Sequence, residues 1–464
     1  MMKVVSKGSF LELQRFTKLY ANKWFLLVVF LLSVVILLLP SILRDTPFSI
    51  GDESFYHLRI SKDILINGGV NYDALSFSGR SNFMETGLGH TIAGVSFITK
   101  MSIEESAKSL FLFLGLASLL ILYLILKLHG IEKSFLMLPI LIFSPAFIYL
   151  FTVVNKFAIP VFLTLLLIYF LLKKRFLISL IFFLMLPIFD LSYSIFVFVS
   201  IVLFYLYTRK KKLGLFASFL VTLGVLFYAT NANLNLISDF GGEIGLSIFG
   251  LFIILFGLGS LWKKKGFAQF YFLFFILFLI SLKLFWVVFL LNIVFCLLIA
   301  FNLDNLLRSN WDSVLIKELT ILLLVCGLLF SGLSSIKSLS EEEPNEDIFN
   351  ALAILPRESV VLSHHSNGHW ISYAGMKNIM DGFMEFEGID KRKRDVDKLF
   401  GSRDFNDVIG LLNEYDVDYI LITPEMRNGL VWNENEEGLL FLLKYSEKFD
   451  NIKEGNIGVW EYKR

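Results

Sequence analysis

Apolar residues in this chain fall in long blocks, not in the short alternating stripes of a water-soluble fold. Trp24 to Pro40 forms the first block. A polar stretch from Ser41 to Ala107 follows. Apolar runs then resume at Ser109–Leu126, Phe135–Phe151, Phe157–Leu172, Phe176–Tyr207, Leu213–Ala229, Ile244–Leu261, Phe267–Phe301 and Val314–Leu333. Runs of this length with few charges predict transmembrane helices. Two runs, of 32 and 35 residues, would be about 48 and 53 Å long as single helices, too long for a hydrocarbon core of roughly 30 Å. Each is therefore expected to be two helices, broken near Pro187–Asp190 and near Lys283. The tally is eleven.

The charges between the blocks agree with that count. Lys3, Lys7, Arg15, Lys18 and Lys23 precede the first run. No small-x-small cleavage site follows it, so it reads as a retained helix with the N-terminus in the cytoplasm. Basic clusters at Lys173–Arg175 and Arg209–Lys212 flank the first long run, and both should be cytoplasmic. With eleven helices, 19 bases face the cytoplasm, while the short outer loops hold only Lys156 and Lys283. The count places both the 41–107 loop and the C-terminus outside, in a multi-pass plasma-membrane protein.

Composition splits the chain at the end of the last run. Residues 340–464 carry 25 acids and 14 bases, whereas residues 1–339 carry 16 and 28. The expected architecture is a polytopic α-helical membrane domain at 1–339, including the outer loop 41–107, and a soluble extracytoplasmic α/β domain at 340–464. In the latter, Val360–Leu362, Ile379–Phe383, Tyr419–Thr423 and Gly458–Tyr462 are β-rich; Asp347–Ile354, Asp404–Tyr415 and Glu436–Tyr445 have helical spacing. The only cysteines are Cys296 and Cys326, both in apolar runs, which excludes a disulfide framework or thiolate metal site. The basic excess sits at membrane edges and implies no nucleic-acid partner. There is no Walker-type motif, and Gly241–Gly245 is too loose for a phosphate loop.

Candidate chemistry gathers at the start of the outer loop, in Ile50-Gly51-Asp52-Glu53-Ser54-Phe55-Tyr56-His57-Leu58-Arg59-Ile60. Asp52, Tyr56, Arg59 and Asp63 share one helical face, and Glu53 pairs with His57 on the next. Two adjacent acids just beyond a membrane helix sit where a carboxylate can be partly desolvated and act as a base. The plainer reading is a solvated helix start whose acids favour the helix dipole. Glu85 and Arg80 lie in the same loop. His364, His365 and His369 are close in sequence, but adjacent histidines cannot point one way on a strand, so they read as coincidence. Lys391–Arg394 reads as a solvated helix face.

An N-in helix followed by a long outer loop opening with Asp52-Glu53 and Tyr56-His57-Leu58-Arg59 resembles the GT-C superfamily of membrane glycosyltransferases. That group includes protein O-mannosyltransferases, aminoarabinose transferases and oligosaccharyltransferase catalytic subunits. The resemblance implies sugar transfer from a polyprenyl-phosphate donor in the bilayer to an acceptor, whether protein, lipid or glycan, on the outer face. Asp52 would be the catalytic base and Glu53 its neighbour. Tyr56, His57, Arg59, Arg80, Glu85, Lys156 and Lys283 would bind substrate, with a basic residue, Lys283 foremost, neutralising the departing phosphate. A second resemblance lies in Val360–Ser372, where Gly368, Trp370 and Ile371 match the spacing of the oligosaccharyltransferase Trp-Trp-Asp-Tyr-Gly region, but His364–Asn367 replace its characteristic residues. Asn378–Gly382 is also similar to that family's outer domains.

One departure ranks the alternatives. Oligosaccharyltransferases place a second acid pair in the outer loop between helices three and four; here that loop is Thr152-Val153-Val154-Asn155-Lys156. The expectation is a mannosyltransferase-like enzyme without a metal cofactor. The alternative is an oligosaccharyltransferase-like enzyme using Mn or Mg, with Asp52, Asp190, Asp239 and Glu243 as ligands; Asp190 by itself reads rather as a cap for the following helix. A transporter or non-catalytic polytopic protein would also be polytopic, but no inverted repeat is visible.

Overall fold

The computed structural model describes residues 23–464 except 45, 70–71, 82–85, 129–135, 210–216, 219, 223, 226–235, 241–243, 262–266, 384–387, 435 and 454. The chain forms two compact units: one of Met1–Arg44 with Lys108–Glu341, the other of Asp45–Ala107 with Glu342–Arg464. The outer loop thus belongs with the C-terminal residues and not with the helices that flank it in sequence.

The first unit is helical. Among the described residues of the chain, four helices are long and apolar enough to cross a membrane: Lys23–Leu43, Ile103–Leu128, Val287–Arg308 and Val314–Glu341. Shorter apolar helices include Ala158–Leu172, Phe176–Met185, Leu191–Arg209, Ile248–Leu261 and Phe267–Ser281. Both over-long runs break where the sequence indicates. A 3₁₀ turn at Leu186–Ile188 contains Pro187, and Lys283 lies in the turn between Ser281 and Val287. The expected span Leu213–Ala229 falls mostly outside the described residues.

One break was not anticipated. The run Phe135–Phe151 contains two helices, Met137–Ile142 and Pro145–Thr152. Pro145 forces the preceding Ser144 into an extended conformation (φ −80°, ψ 130°). The Ser144 hydroxyl then accepts a hydrogen bond from Asn292 Nδ2 at 2.7 Å, so the polar groups freed by the break are paired between helices. Small residues allow close helix approach elsewhere. A methyl on Gly327 or Gly332 would collide with the Phe249 ring or the Phe143 carbonyl.

The second unit is built on a five-stranded mixed sheet. Its strands are β3 (Val360–Leu362), β4 (Lys377–Asn378), β5 (Tyr419–Ile422), β6 (Phe449–Lys453) and β7 (Gly458–Tyr462), in the order β4-β3-β5-β7-β6. β3 is parallel to β4 and β5, while β7 is antiparallel to β5 and β6. A two-stranded ribbon pairs β1 (Tyr72–Asp73) with β2 (Arg80–Ser81). Helices Glu346–Leu352, Gly368–Tyr373, Ile389–Gly401, Phe405–Glu414 and Leu439–Tyr445 complete the C-terminal part. Asp404 caps its helix through the Asn406 and Asp407 N–H groups, as Asp does at a helix N-terminus.

The expected strand Ile379–Phe383 is not formed; β4 ends at Asn378. Asn378 is occupied four ways. Its N–H donates to Leu75 O (2.9 Å), its Oδ1 accepts from Phe77 N–H (2.8 Å), and its Nδ2 donates to Gly368 O (2.8 Å) and Ser372 Oγ (2.6 Å). The chain therefore leaves the sheet just as it meets the outer loop. Phe55 and Phe77, each 1% exposed, insert the N-terminal segment into two of the apolar clusters of this unit.

Candidate active site

The helix Asp52–Asn67 begins after Gly51, whose φ of 78° favours glycine. Asp52 and Glu53 occupy its first turn, where the helix dipole favours negative charge. The Glu53 and His57 side chains meet at 3.2 Å, the i, i+4 pairing that the sequence indicates. Along the same helix Phe55, Tyr56, Leu58, Arg59 and Ile60 are buried, which fixes the orientation of its first turn.

Two elements distant in sequence complete the site. Helix Gly368–Tyr373 supplies His369, and the segment after β4 supplies Asp381, Gly382 and Phe383. The His369 side chain is 1% exposed. Its Nε2 lies 3.8 Å from Asp52 Oδ2 and its Nδ1 lies 3.7 Å from Asp381 Oδ2. The ring packs against Tyr56 and Phe383, with centroid distances of 5.4 and 4.8 Å. Asp381 is held in turn: Oδ2 accepts from the Ser76 hydroxyl, Oδ1 accepts from Phe383 N–H at 3.0 Å, and Arg80 Nη2 lies 3.6 Å from Oδ2. Gly382 is exposed, and a methyl there would stand 3.0 Å from Asp52 Oδ2.

Several polar atoms in this cluster lack hydrogen-bond partners. Among the described residues neither nitrogen of His369 has one, nor does Oδ1 of Asp52. Burial, and then the neighbouring Asp381, raise the Asp52 carboxyl well above its ordinary value. Burial pushes the His369 imidazole down to about 4, against the opposing pull of Asp381. A half-buried carboxyl beside a neutral imidazole is suited to taking up a proton.

The other sequence candidates divide. Tyr56 and Arg80 join the Asp52 cluster, Tyr56 by its ring and Arg80 through Asp381. Arg59 is committed elsewhere, bonding both oxygens of Asp73 at 2.7 and 2.5 Å. Burial opposes ionisation of Asp73, yet the Arg59 guanidinium and the Leu75 and Ser76 N–H groups hold it below the usual carboxylate range. Lys156 pairs with Asp190 at 2.9 Å, and Asp190 caps its helix through Tyr193 N–H at 2.7 Å. Asp239 accepts from Ile248 N–H at 2.6 Å. These three, with Lys283, belong to the helical unit. Glu85 and Glu243 lie outside the described residues.

Sequence reasoning set His369 aside as a coincidental histidine and gave Asp381 no role. No spacing rule links either to Asp52, since only the sheet brings them together. The reversal at Asp381–Gly382, directly after a β-rich segment, was the one local sign.

Among the described residues no group of three histidine, cysteine or carboxylate side chains could hold a metal ion. Asp52 and His369 Nε2 offer two ligands, and Asp381 lies against the other edge of the ring. A divalent ion needs more, so these residues do not fit a metal centre.

No family model matches the chain, and no curated protein matches it in sequence. Solved structures do. It is similar to the oligosaccharyltransferase of Archaeoglobus fulgidus in the apo form, at 12% identity and TM-score 0.55, over 88% of this chain and 70% of that one. The same enzyme in complex with Zn and sulfate gives 13% identity and TM-score 0.54, over 94% and 73%. The arabinofuranosyltransferase AftD from Mycobacteria gives 12% identity and TM-score 0.56, over 96% of this chain but only 40% of that one. Likeness at this identity is likeness of fold, and the chain shares its fold with these solved structures of the Archaeoglobus fulgidus oligosaccharyltransferase and the mycobacterial AftD.

Proposed function

We propose that this chain is a membrane glycosyltransferase in which Asp52 takes a proton from the acceptor as it attacks the sugar of a polyprenyl-phosphate donor. The observation that carries this reading is the Asp52 carboxyl: half-buried at a helix N-terminus, with Oδ1 buried and unpartnered among the described residues and its affinity for a proton raised. The acceptor oxygen bonds to the anomeric carbon while the bond from that carbon to the phosphate oxygen breaks. The phosphate leaves with the electron pair, and Asp52 receives the acceptor proton. Lys283, ahead of Lys156, is the basic side chain that neutralises the leaving phosphate in this reading. The basic residues between the apolar runs support eleven spans with the N-terminus inside and the active site outside. A reporter fused after Arg464 should then be active only outside, and cytoplasmic activity there would overturn that topology.

The fold likeness to the Archaeoglobus fulgidus enzyme, solved also with Zn and sulfate, favours a second reading, a metal-dependent oligosaccharyltransferase-like enzyme. One assay separates the two. Purified full-length protein is given a polyprenyl-phosphate-linked sugar, with and without EDTA. Transfer should survive chelation, and Asp52→Asn should reduce it by about 10²–10⁴, the usual contribution of a general base, without loss of folded protein. Loss with EDTA and recovery with Mn²⁺ or Mg²⁺ would put the second reading first. Near-normal turnover by Asp52→Asn would remove Asp52 from the mechanism.

A further inference from the structure

We propose that His369 is the positioning residue of Asp52, with Asp381 as the fixed carboxylate behind the ring. This inference rests on the reading of Asp52 as the base.

The first argument is one of cost. A buried imidazole with neither nitrogen hydrogen-bonded is unfavourable, and burying a phenyl ring there would not be. The surroundings are aromatic, since Tyr56 and Phe383 pack on the ring. If packing were its whole role, phenylalanine would serve better. An orphaned buried polar group calls for an explanation, and a catalytic role is one of the accepted kinds.

The second argument is geometric. The two nitrogens face two carboxylates, at 3.8 and 3.7 Å. Those separations exceed hydrogen-bond length but are the loose spacings that tighten when a catalytic site closes on substrate. The two carboxylates are not equivalent. Asp381 is fixed by Ser76, Phe383 N–H and Arg80, whereas Asp52 Oδ1 has no partner among the described residues. Asp381 therefore orients the ring, with Nδ1–H toward itself and the Nε2 lone pair toward Asp52. The other charged groups acting on the ring are Arg59 and Arg80, which oppose its protonation, and Glu53, which favours it; Glu342 acts on Asp52.

The proton balance is complete without another reactant. The acceptor proton moves to Asp52 as the glycosidic bond forms. The neutral ring, with Nε2 toward Asp52, holds the carboxyl in place, and Asp52 then releases the proton to water on the side of exposed Gly382.

The test uses the full chain in detergent. With six histidines, ¹⁵N-imidazole NMR can resolve the His369 tautomer. His369 is expected to be neutral at pH 7 with the proton on Nδ1, and Asp381→Asn should shift it toward Nε2. An Nε2–H tautomer in the unaltered protein, or one that Asp381→Asn leaves unmoved, would overturn the proposal. Alongside this, His369→Phe should keep or raise the melting temperature, lower kcat about 100-fold with a polyprenyl-phosphate-linked sugar and leave KM little changed. If His369→Phe does not fold, His369→Gln and the NMR result decide. Unaltered kcat in His369→Phe with Asp52→Asn still inactive would refute the positioning role alone. Unaltered kcat in both would refute Asp52 as base as well.

Discussion

The second unit buries two charged clusters, and they are built oppositely. In one, Arg59 and Asp73 are 5% and 2% exposed, and the Asp73 carboxylate is fully engaged by the guanidinium and two backbone N–H groups. In the other, His369 is equally buried but both ring nitrogens lack partners among the described residues, and so does Asp52 Oδ1. His369 is as buried as that pair, but Asp52 keeps 23% of its side chain exposed. The paired cluster, in which Arg59 Nε lacks a partner among the described residues, fixes the loop that carries Ser76 and Phe77. The other keeps its polar atoms available, at a cost in stability, as reactive sites do.

The largest expected effect breaks that contrast by substitution. Asp73→Asn leaves the Arg59 charge buried without its counter-ion, and breaking such a pair costs about 3–5 kcal/mol. Chemical denaturation of the purified protein should show that loss, together with less folded material on expression. Asp52→Asn removes a charge that burial and Asp381 oppose and that the His369 backbone N–H only partly offsets, and should cost little in stability at neutral pH. Equal destabilisation by the two variants would mean that the clusters are both structural.

The next effect is smaller and lies in pH dependence, where the signs differ. Asp73 is held low in the folded state; its stabilisation is full above the unfolded value of about 3.9 and is lost as pH falls through the folded value. Asp52 is held high. Its contribution is present below the unfolded value and is lost as pH rises through the folded one, so the melting-temperature gain of Asp52→Asn should grow with pH. His369 is held low, at about 4, against an unfolded value of about 6.5. The unfolded chain binds that proton more readily, so His369 costs stability as pH falls between those values, and the gain from His369→Phe should grow toward pH 4. Thermal melts of both variants from pH 4 to 8 check this; parallel curves would contradict the burial of these groups.

The same contrast explains what the sequence disclosed. Local features were legible. Apolar blocks gave the helices, Pro187 and Lys283 marked the breaks in the long runs, and Val360–Leu362, Tyr419–Thr423 and Gly458–Tyr462 read correctly as strands. The place of Asp52 in the first turn of a helix and the Glu53–His57 pair also followed from position and spacing. The strand Phe449–Lys453 was missed because Asp450, Asn451 and Lys453 give a half-exposed edge no clear β signal. The break at Pro145 was overlooked inside an apolar run, although the residue before a proline favours extended backbone. Asp381 and His369 reach Asp52 only through tertiary structure. Asn378, which ends β4 and ties the outer loop to helix Gly368–Tyr373, reads in sequence as a neutral loop residue.

The smallest effect isolates geometry from charge. A methyl on Gly382 would stand 3.0 Å from Asp52 Oδ2 and 3.6 Å from His369 Nε2. The first distance is tighter than ordinary contact, so the Asp52 carboxylate must yield by a few tenths of an ångström. Gly382 does not need a left-handed backbone, and alanine there adds no strain, so stability should change by no more than about 0.5 kcal/mol. Displacing a reacting group by 1 Å can cost about 100-fold; a shift of a few tenths should cost roughly 3- to 10-fold in kcat. Gly410 is the control. It lies in helix Phe405–Glu414 with nothing within 4 Å of an added methyl, so Gly410→Ala should leave kcat unchanged and add about 0.5–1 kcal/mol of stability. If Gly382→Ala behaves like Gly410→Ala, the space beside Asp52 is not where the acceptor oxygen gives up its proton. A rate loss without a stability loss would place the reacting oxygen within reach of Asp52 Oδ2, on the open side of the cluster and away from the ion pair of Arg59 and Asp73.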